Sequence, residues 1–311
     1  MELIRGTQSS KQPLSGSVVT LGNFDGLHLG HHALIAELKR LAQQYHVSSV
    51  VISFEPQPKE FFVREQTVPR LMRWREKYLA LMQEGIDYFY SLHFNSDIAN
   101  FSAEDFVEKI LVAQLNMRAV VVGYDFRFGK NRQGDFNLLS VLGKKFKFSV
   151  HQVPAVMVRN EPVSSTRVRA ALQAGDLELV RELLGRNYTV CGKVIYGQQR
   201  GRDLGFPTAN INMQRKVVPL SGVFVIRVKI QDQIYSGVAN VGSRPTFNGV
   251  GMLLEAHLFN FNRSIYGCNM EVEFLHKLRS EKKFENFEAL RAQILQDAQD
   301  AKDYFANDSR L

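Results

Sequence analysis

Apolar residues in the first part of the chain fall into two alternating textures. Short runs that are almost continuously apolar, SVVTLGNF from Ser17, SSVVISFEP from Ser48, DYFYSLHF from Asp87 and AVVVGYDF from Ala119, predict strands buried on both faces. Between them, HHALIAELKRLAQQY, WREKYLALMQEG and AEDFVEKILVAQL place apolar positions three or four apart, the period of a helix with one buried side. This β-α-β-α rhythm predicts an α/β unit with a parallel sheet covered on both faces. A further strand around Lys147 to Val153 leads to SSTRVRAALQAG, read as a capped helix ending at Gly175, and a short helix follows from Asp176 to Leu184.

From Tyr188 the texture changes. YTVCGKVIYG, TANINM, GVFVIRVKI, QIYSGVANVG, LLEAHLFNF and CNMEVEFLHKL are short β-like runs separated by turn residues, which predicts a small antiparallel barrel. A helix from about Asn286 to Phe305 follows. The boundary is expected near Gly185 to Tyr188, giving domains 1–186 and 187–311.

Composition narrows the function classes. With 311 residues, 45% hydrophobic and 23% charged, the chain is long enough for two cores. No apolar run is long enough for a membrane span, and the N-terminal stretch lacks a signal core, so a soluble cytoplasmic protein is expected. Cys191 and Cys268 belong to no CxxC pair, which argues against a zinc or disulfide framework. The formal charge of +8 is spread along the chain without basic blocks, as suits small polyphosphates better than nucleic acid. The expected partners are small molecules, with neither nucleic acid nor membrane, and the protein is expected to be a monomer or a weak homo-oligomer.

The turn after the first strand reads Gly22-Asn23-Phe24-Asp25-Gly26-Leu27-His28-Leu29-Gly30-His31. Open parallel sheets bind ligands at such strand ends. The glycines permit close backbone approach, the helix start offers unpaired N–H groups, and His28 and His31 can face one anion together. Triphosphate suits that arrangement, with Gly22, Phe24, Asp25, Gly26 and Gly30 around it. The spacing matches neither GxGxxG nor the P-loop. Two histidines around a glycine can also simply begin a helix, and no third ligand supports a zinc site.

Ser164-Ser165-Thr166-Arg167-Val168-Arg169 offers hydroxyls at a helix start, with Arg169 one turn on as a fixed cation, although a plain N-cap would use the same serines. VVGYDFRFGKNRQGDFNLL combines aromatic faces that can stack a flat ring with cations such as Arg127 that can meet phosphate, although Phe126 and Phe128 could equally be core beneath a surface loop. Asp125, Arg127 and Phe128 become candidates through family resemblance. In Gly201-Arg202-Asp203-Leu204-Gly205-Phe206-Pro207-Thr208-Ala209-Asn210-Ile211, Pro207 keeps Phe206 extended and Gly205 admits a ligand. The Thr208 hydroxyl and Asn210 amide are neutral oxygen donors of the kind Mg²⁺ accepts.

HxGH followed by SSTxxR resembles the nucleotidyltransferase superfamily, and the DFRFG stretch resembles prokaryotic FAD synthetases. GRDLGFPTANI resembles the signature of riboflavin kinases, as do LEAHLFNFNRSIYG and VEFLHKLRSEKKFENFEALRAQI. From about Val18 to Phe305 the chain resembles the prokaryotic bifunctional riboflavin kinase/FAD synthetases.

The resemblance implies a Rossmann-like nucleotidyltransferase domain followed by a riboflavin kinase-like barrel. ATP is the implied co-substrate, FMN and FAD the flavin ligands, and Mg²⁺ the metal. It implies His28, His31 and Arg169 as catalytic groups for adenylylation, Glu255 as the base for riboflavin phosphorylation, and Arg279 as a flavin-pocket residue. Gln57, in FEPQP, departs from the family's usual histidine and cannot become cationic. Two other readings remain open: a monofunctional nucleotidyltransferase with a ligand-holding barrel, and a non-catalytic basic protein that binds nucleic acid or senses flavin.

Overall fold

The computed structural model describes residues 1–6, 14–63, 68–196, 206–213, 215, 217–246 and 249–307. They form two compact units, one of Met1–Val68 with Met72–Ser164 and one of Pro69–Leu71 with Ser165–Leu311.

The first unit is a six-stranded parallel sheet. Its strands are β1 (Glu2–Arg5), β2 (Ser17–Leu21), β3 (Ser48–Glu55), β4 (Tyr88–His93), β5 (Met117–Gly123) and β6 (Ser149–Val153), in the order β1-β4-β3-β2-β5-β6. Alternate residues of one strand serve opposite cores, which is why these strands read as unbroken apolar runs. Val18, Val51, Phe89 and Val121 pack on one face with Ile35, Leu38 and Leu41 of helix α1 (Leu29–Tyr45). Val19, Ile52, Tyr90 and Val120 pack on the other, against Phe106, Leu111, Leu139 and Leu142.

The stretch predicted as one helix from Ala103 begins as α-helix over Ala103–Phe106 and continues as a π-wound segment over Val107–Val112. The wider winding keeps Val107, Ile110 and Leu111 together in the core. The edge strand Glu2–Arg5 and the helix Phe136–Phe146 come in addition to the predicted elements.

The second unit is a closed antiparallel barrel of Tyr188–Ile195, Ala209–Asn212, Gly222–Ile230, Gln233–Thr246, Gly249–Leu258 and Asn269–Arg279. Closure leaves no free strand edge. Phe224 and Ile226 are fully buried, while their neighbours Val223 and Val225 pack outward with Ala301 and partly buried Tyr304. The C-terminal helix Phe287–Asn307 therefore covers part of the outer face of the barrel. Helices Ser165–Ala174 and Leu177–Leu184 group with the barrel unit through contacts of the latter with Tyr188–Ile195 and Asn269–Arg279. The compact units thus part at Ser164/Ser165, whereas the change of sequence texture lies near Gly185 to Tyr188. Among the described residues no helix is long and apolar enough to cross a membrane.

Candidate active sites

In the sheet unit, β2 lies between β3 and β5; the chain leaves β2 for β3 on one side and later returns to β5 on the other. The crevice at their carboxyl ends is the topological switch point, and the turn Gly22–His28 occupies it. Phe24 and Leu27 hold left-handed backbone angles, φ +46° and +43°, and both are essentially fully buried. Each such angle costs about 1–3 kcal/mol, and burying each side chain contributes about 1.5–3 kcal/mol, so packing can hold the turn in this shape.

His28 is the extended residue before α1, and its carbonyl accepts from His31 N at 2.8 Å and His32 N at 3.1 Å. The His28 and His31 rings stack with centroids 3.7 Å apart and planes 17° apart. A Cβ at Gly30 would lie 3.2 Å from the His28 ring, which explains a glycine between the two histidines. His31 is half-buried, and its Nδ1 atom is enclosed with no hydrogen-bond partner among the described residues. Burial first, then the neighbouring His28 and Lys77, hold its pKa well below the ordinary imidazole value. His31 is therefore neutral at pH 7 and offers a hydrogen bond rather than a charge. The first turn of α1 carries no acidic residue, which leaves its partial positive charge for an anion.

The other predicted residues of this turn divide by environment. Gly22 continues the ladder by donating to Ile52 O at 3.1 Å. Asp25 is buried, and its Oδ1 accepts from Met72 N at 2.9 Å, a bond that ties the turn to the chain before the helix Trp74–Gln83. Gly26 supplies the left-handed step between Asp25 and Leu27 with φ +92°. Gln57 caps the short helix Pro58–Phe62 and receives Glu60 in return, with Gln57 N donating to Glu60 Oε2 at 3.0 Å. Its Nε2 is buried with no partner among the described residues.

A separate cavity of about 600 Å³ in this unit is lined by Phe54, Phe62, Phe94, Arg127, Phe128 and Arg132, among others. It joins apolar walls to cations. Phe128 is buried and stacks on Phe126 at 5.4 Å, whereas exposed Arg127 reaches Asp135 at 3.4 Å. Gly129 is required there, because a Cβ would come within 2.8 Å of the Ala103 backbone. Asp125 is exposed and does not line this cavity. Ser164 is the last residue of the sheet unit; Ser165, Thr166 and Arg169 lie in the other, where Arg169 Nε donates to Pro69 O at 2.7 Å.

In the barrel unit, Asn210 pairs in register with Glu255, and Glu255 pairs on its other side with Asn240. Side chains alternate along a strand, so Thr208, Asn210, Glu255 and His257 share the outer face. Two cavities flank this patch. One, of about 320 Å³, is lined by Thr208, Glu255, His257, Arg279 and residues of the C-terminal helix. The other, of about 490 Å³, is lined by Pro207, Thr208, Phe261, Arg263 and Tyr266 among others. Thr208 belongs to both walls. Gly205 and the segment before it lie outside the described residues.

Arg279 is held by a bidentate pair, Nε and Nη2 to the two Asp297 oxygens at 2.8 and 2.7 Å, and Gln293 adds a third bond to Asp297 at 3.0 Å. His257 Nδ1 lies 3.0 Å from Pro207 O, and burial pushes its pKa down against that bond.

Sequence reasoning missed Lys77, His257 and Asp297. Lys77 is buried on the core side of its helix beside Leu81, with Nζ 3.0 Å from Ser53 Oγ, which in turn donates to Asn23 O in the turn. A lysine at a core position of a helical pattern was its only signal. His257 was findable, since it stands two residues after Glu255 and so on the same strand face. Asp297 carried no signal, because its partner is 18 residues away in another element.

Comparison with known proteins shows the family. A family model for FAD synthetase matches residues 10–167, and one for riboflavin kinase matches residues 184–305. Similar curated proteins are the bifunctional riboflavin kinase/FMN adenylyltransferases of Haemophilus influenzae and Escherichia coli. The first is 42% identical over 98% of this chain and 99% of its own, and the second is 38% identical over 98% of each. A crystal structure titled macrolide-efflux protein from Streptococcus pneumoniae matches with a TM-score of 0.84 and 31% identity, covering 97% of this chain and 99% of that one. The chain belongs to the bifunctional riboflavin kinase/FMN adenylyltransferase family.

Proposed function

We propose that this riboflavin kinase and FMN adenylyltransferase runs its two reactions at separate places, each with the groups its nucleophile requires. Adenylylation of FMN belongs to residues 1–186 and phosphorylation of riboflavin to 187–311; the family models span 10–167 and 184–305, and the compact units part earlier, at Ser164/Ser165. The observation that carries the reading is Thr208 in the shared wall of two barrel cavities, with Glu255 facing one of them.

Riboflavin occupies the cavity beside Glu255 and Arg279, and the ATP phosphates approach from the other. The primary alcohol is a poor nucleophile, and Glu255 accepts its proton as the oxygen attacks the γ-phosphorus, whose bond to the β–γ bridging oxygen breaks to release ADP. The Thr208 hydroxyl and Asn210 amide are neutral hard donors that leave the negative charge to the nucleotide, a donor set that suits Mg²⁺. When bound, the metal neutralises phosphate charge.

At the histidine turn the attacking FMN phosphate is already ionised, so no base is required. His28 and His31 bind the ATP phosphates as pyrophosphate leaves, His31 as a neutral imidazole, aided by the backbone at Gly22, Phe24, Gly26 and Gly30. The unsatisfied, enclosed Nδ1 of His31 supports this assignment. Asp25 contributes by fixing the turn. Ser164, Ser165, Thr166 and Arg169 are assigned as further phosphate ligands on their motif. The aromatic and cationic cavity at Arg127 and Phe128 suits the flavin, and Asp125 is assigned to flavin binding on its motif alone.

We place both reactions in the cytoplasm, in keeping with a sequence whose two cysteines form no CxxC pair, and in a monomer or weak homo-oligomer. The efflux title belongs to the Streptococcus pneumoniae protein and finds no counterpart in a membrane-crossing helix among the described residues. Chromatography of products from riboflavin, ATP and Mg²⁺ tests the whole reading: FMN should appear first and FAD after it. Supplied FMN converted to FAD without any FMN made from riboflavin would leave only the monofunctional alternative.

A further inference from the structure

His257 has a second ring nitrogen that the reaction scheme does not use. A backbone carbonyl can only accept, so the 3.0 Å contact with Pro207 O makes Nδ1 the donor. In the neutral ring Nε2 is then an acceptor. The ring is steered by edge-on contacts with Phe206 and Phe259, at centroid distances of 5.1 and 5.8 Å, and it lines the same cavity as Glu255. Glu255 and His257 are successive positions on one strand face, so a polyhydroxyl chain lying along that face can meet both.

We propose that His257 is a substrate-orienting residue of the kinase site, its Nε2 accepting a hydrogen bond from a ribityl hydroxyl of riboflavin while Nδ1–H on Pro207 O locks the ring. The inference rests on the reading of this cavity as the riboflavin site. Held from both sides, the sugar-alcohol chain presents its terminal hydroxyl to Glu255 in one register. A ligand lacking those hydroxyls would forgo the contact, so His257 also selects for the polyol.

Three substitutions separate the two ends of the ring. His257→Phe removes both bonds, His257→Asn keeps a donor near the Nδ1 position, and His257→Gln keeps an acceptor near the Nε2 position. Kinase kinetics of the full chain, with riboflavin and ATP varied in turn, should show His257→Phe raising the riboflavin KM by about tenfold while the ATP KM stays unchanged. His257→Gln should recover most of that loss and His257→Asn little of it. A His257→Asn enzyme near wild type with His257→Gln resembling Phe would overturn the proposal, leaving the ring as a brace for the Pro207 turn. Equal rises in both KM values for all three would overturn it too.

Leu290→Trp, which narrows the same cavity from the C-terminal helix, separates the two levels of the argument. If it raises the riboflavin KM while His257→Phe does not, the His257 role is refuted and the cavity assignment stands. If it leaves riboflavin binding untouched, the cavity assignment fails and the His257 role with it.

Discussion

The histidine turn of the sheet unit and the outer face of the barrel both handle ATP in this reading, yet they are furnished in opposite ways. At the turn, two stacked imidazoles sit at the start of a 17-residue helix, with burial and neighbouring positive charge keeping His31 uncharged. On the barrel, a carboxylate stands in register between two asparagines and faces a cavity that also holds the Arg279–Asp297 pair. The difference follows the nucleophile. An FMN phosphate arrives ionised and needs its charge and its leaving group managed, whereas a riboflavin hydroxyl must lose a proton and so needs a base.

The sharpest way to break this comparison is Glu255→Gln. Riboflavin phosphorylation should fall by roughly 100-fold to 10,000-fold, the range of a lost general base, while adenylylation of supplied FMN is retained. His31→Ala should do the converse, lowering FAD formation by about 100-fold to 1,000-fold with FMN formation preserved. Equal damage to both activities from either variant would mean that the two sites are not independent.

Two smaller effects sharpen the contrast between a charged pair and a neutral ring. Asp297→Ala leaves a largely buried guanidinium without its carboxylate, so stability should fall by about 3 kcal/mol, measured as a shift in the denaturant unfolding curve. Its effect on kinase kinetics should appear chiefly in the riboflavin KM.

For His31 the sign is that of a depressed base. Below the unfolded imidazole value of about 6.5, the unfolded chain takes up a proton that the folded site refuses. Stability therefore falls as the pH drops below that point, by up to about 1.4 kcal/mol per pH unit, until the folded value is reached. Unfolding midpoints between pH 7.5 and 5.5 should show this slope in the wild type and less of it in His31→Gln.

Much of the architecture was legible in advance because periodicity carries it. Val18 and Val19 are both apolar because each serves a different core, and that produced the unbroken strand texture. Phe224 and Val225 repeat the same logic in the barrel, one facing in and one facing the C-terminal helix. The segment Val107–Val112 kept its helical pattern, yet tertiary packing rewound it as a π-helix, a difference that a period of three to four cannot reveal. Glu2–Arg5 was too short and too polar to announce a strand, and it exists because Tyr88–His93 offers it a parallel edge.

The chain's own residues specified which groups could do chemistry: paired histidines around a glycine, a Thr/Asn pair after a proline and a glutamate in a strand. The histidines and the Thr/Asn pair stood out because reactivity is a property of the side chain and local spacing survives folding, whereas the glutamate was singled out only by the family resemblance. Only the folded molecule decided that His31 is uncharged, that Lys77 lies buried beside the turn, that Thr208 stands between two cavities and that Asp297 holds Arg279. Those facts depend on desolvation and on contacts between distant segments, neither of which is written in local order.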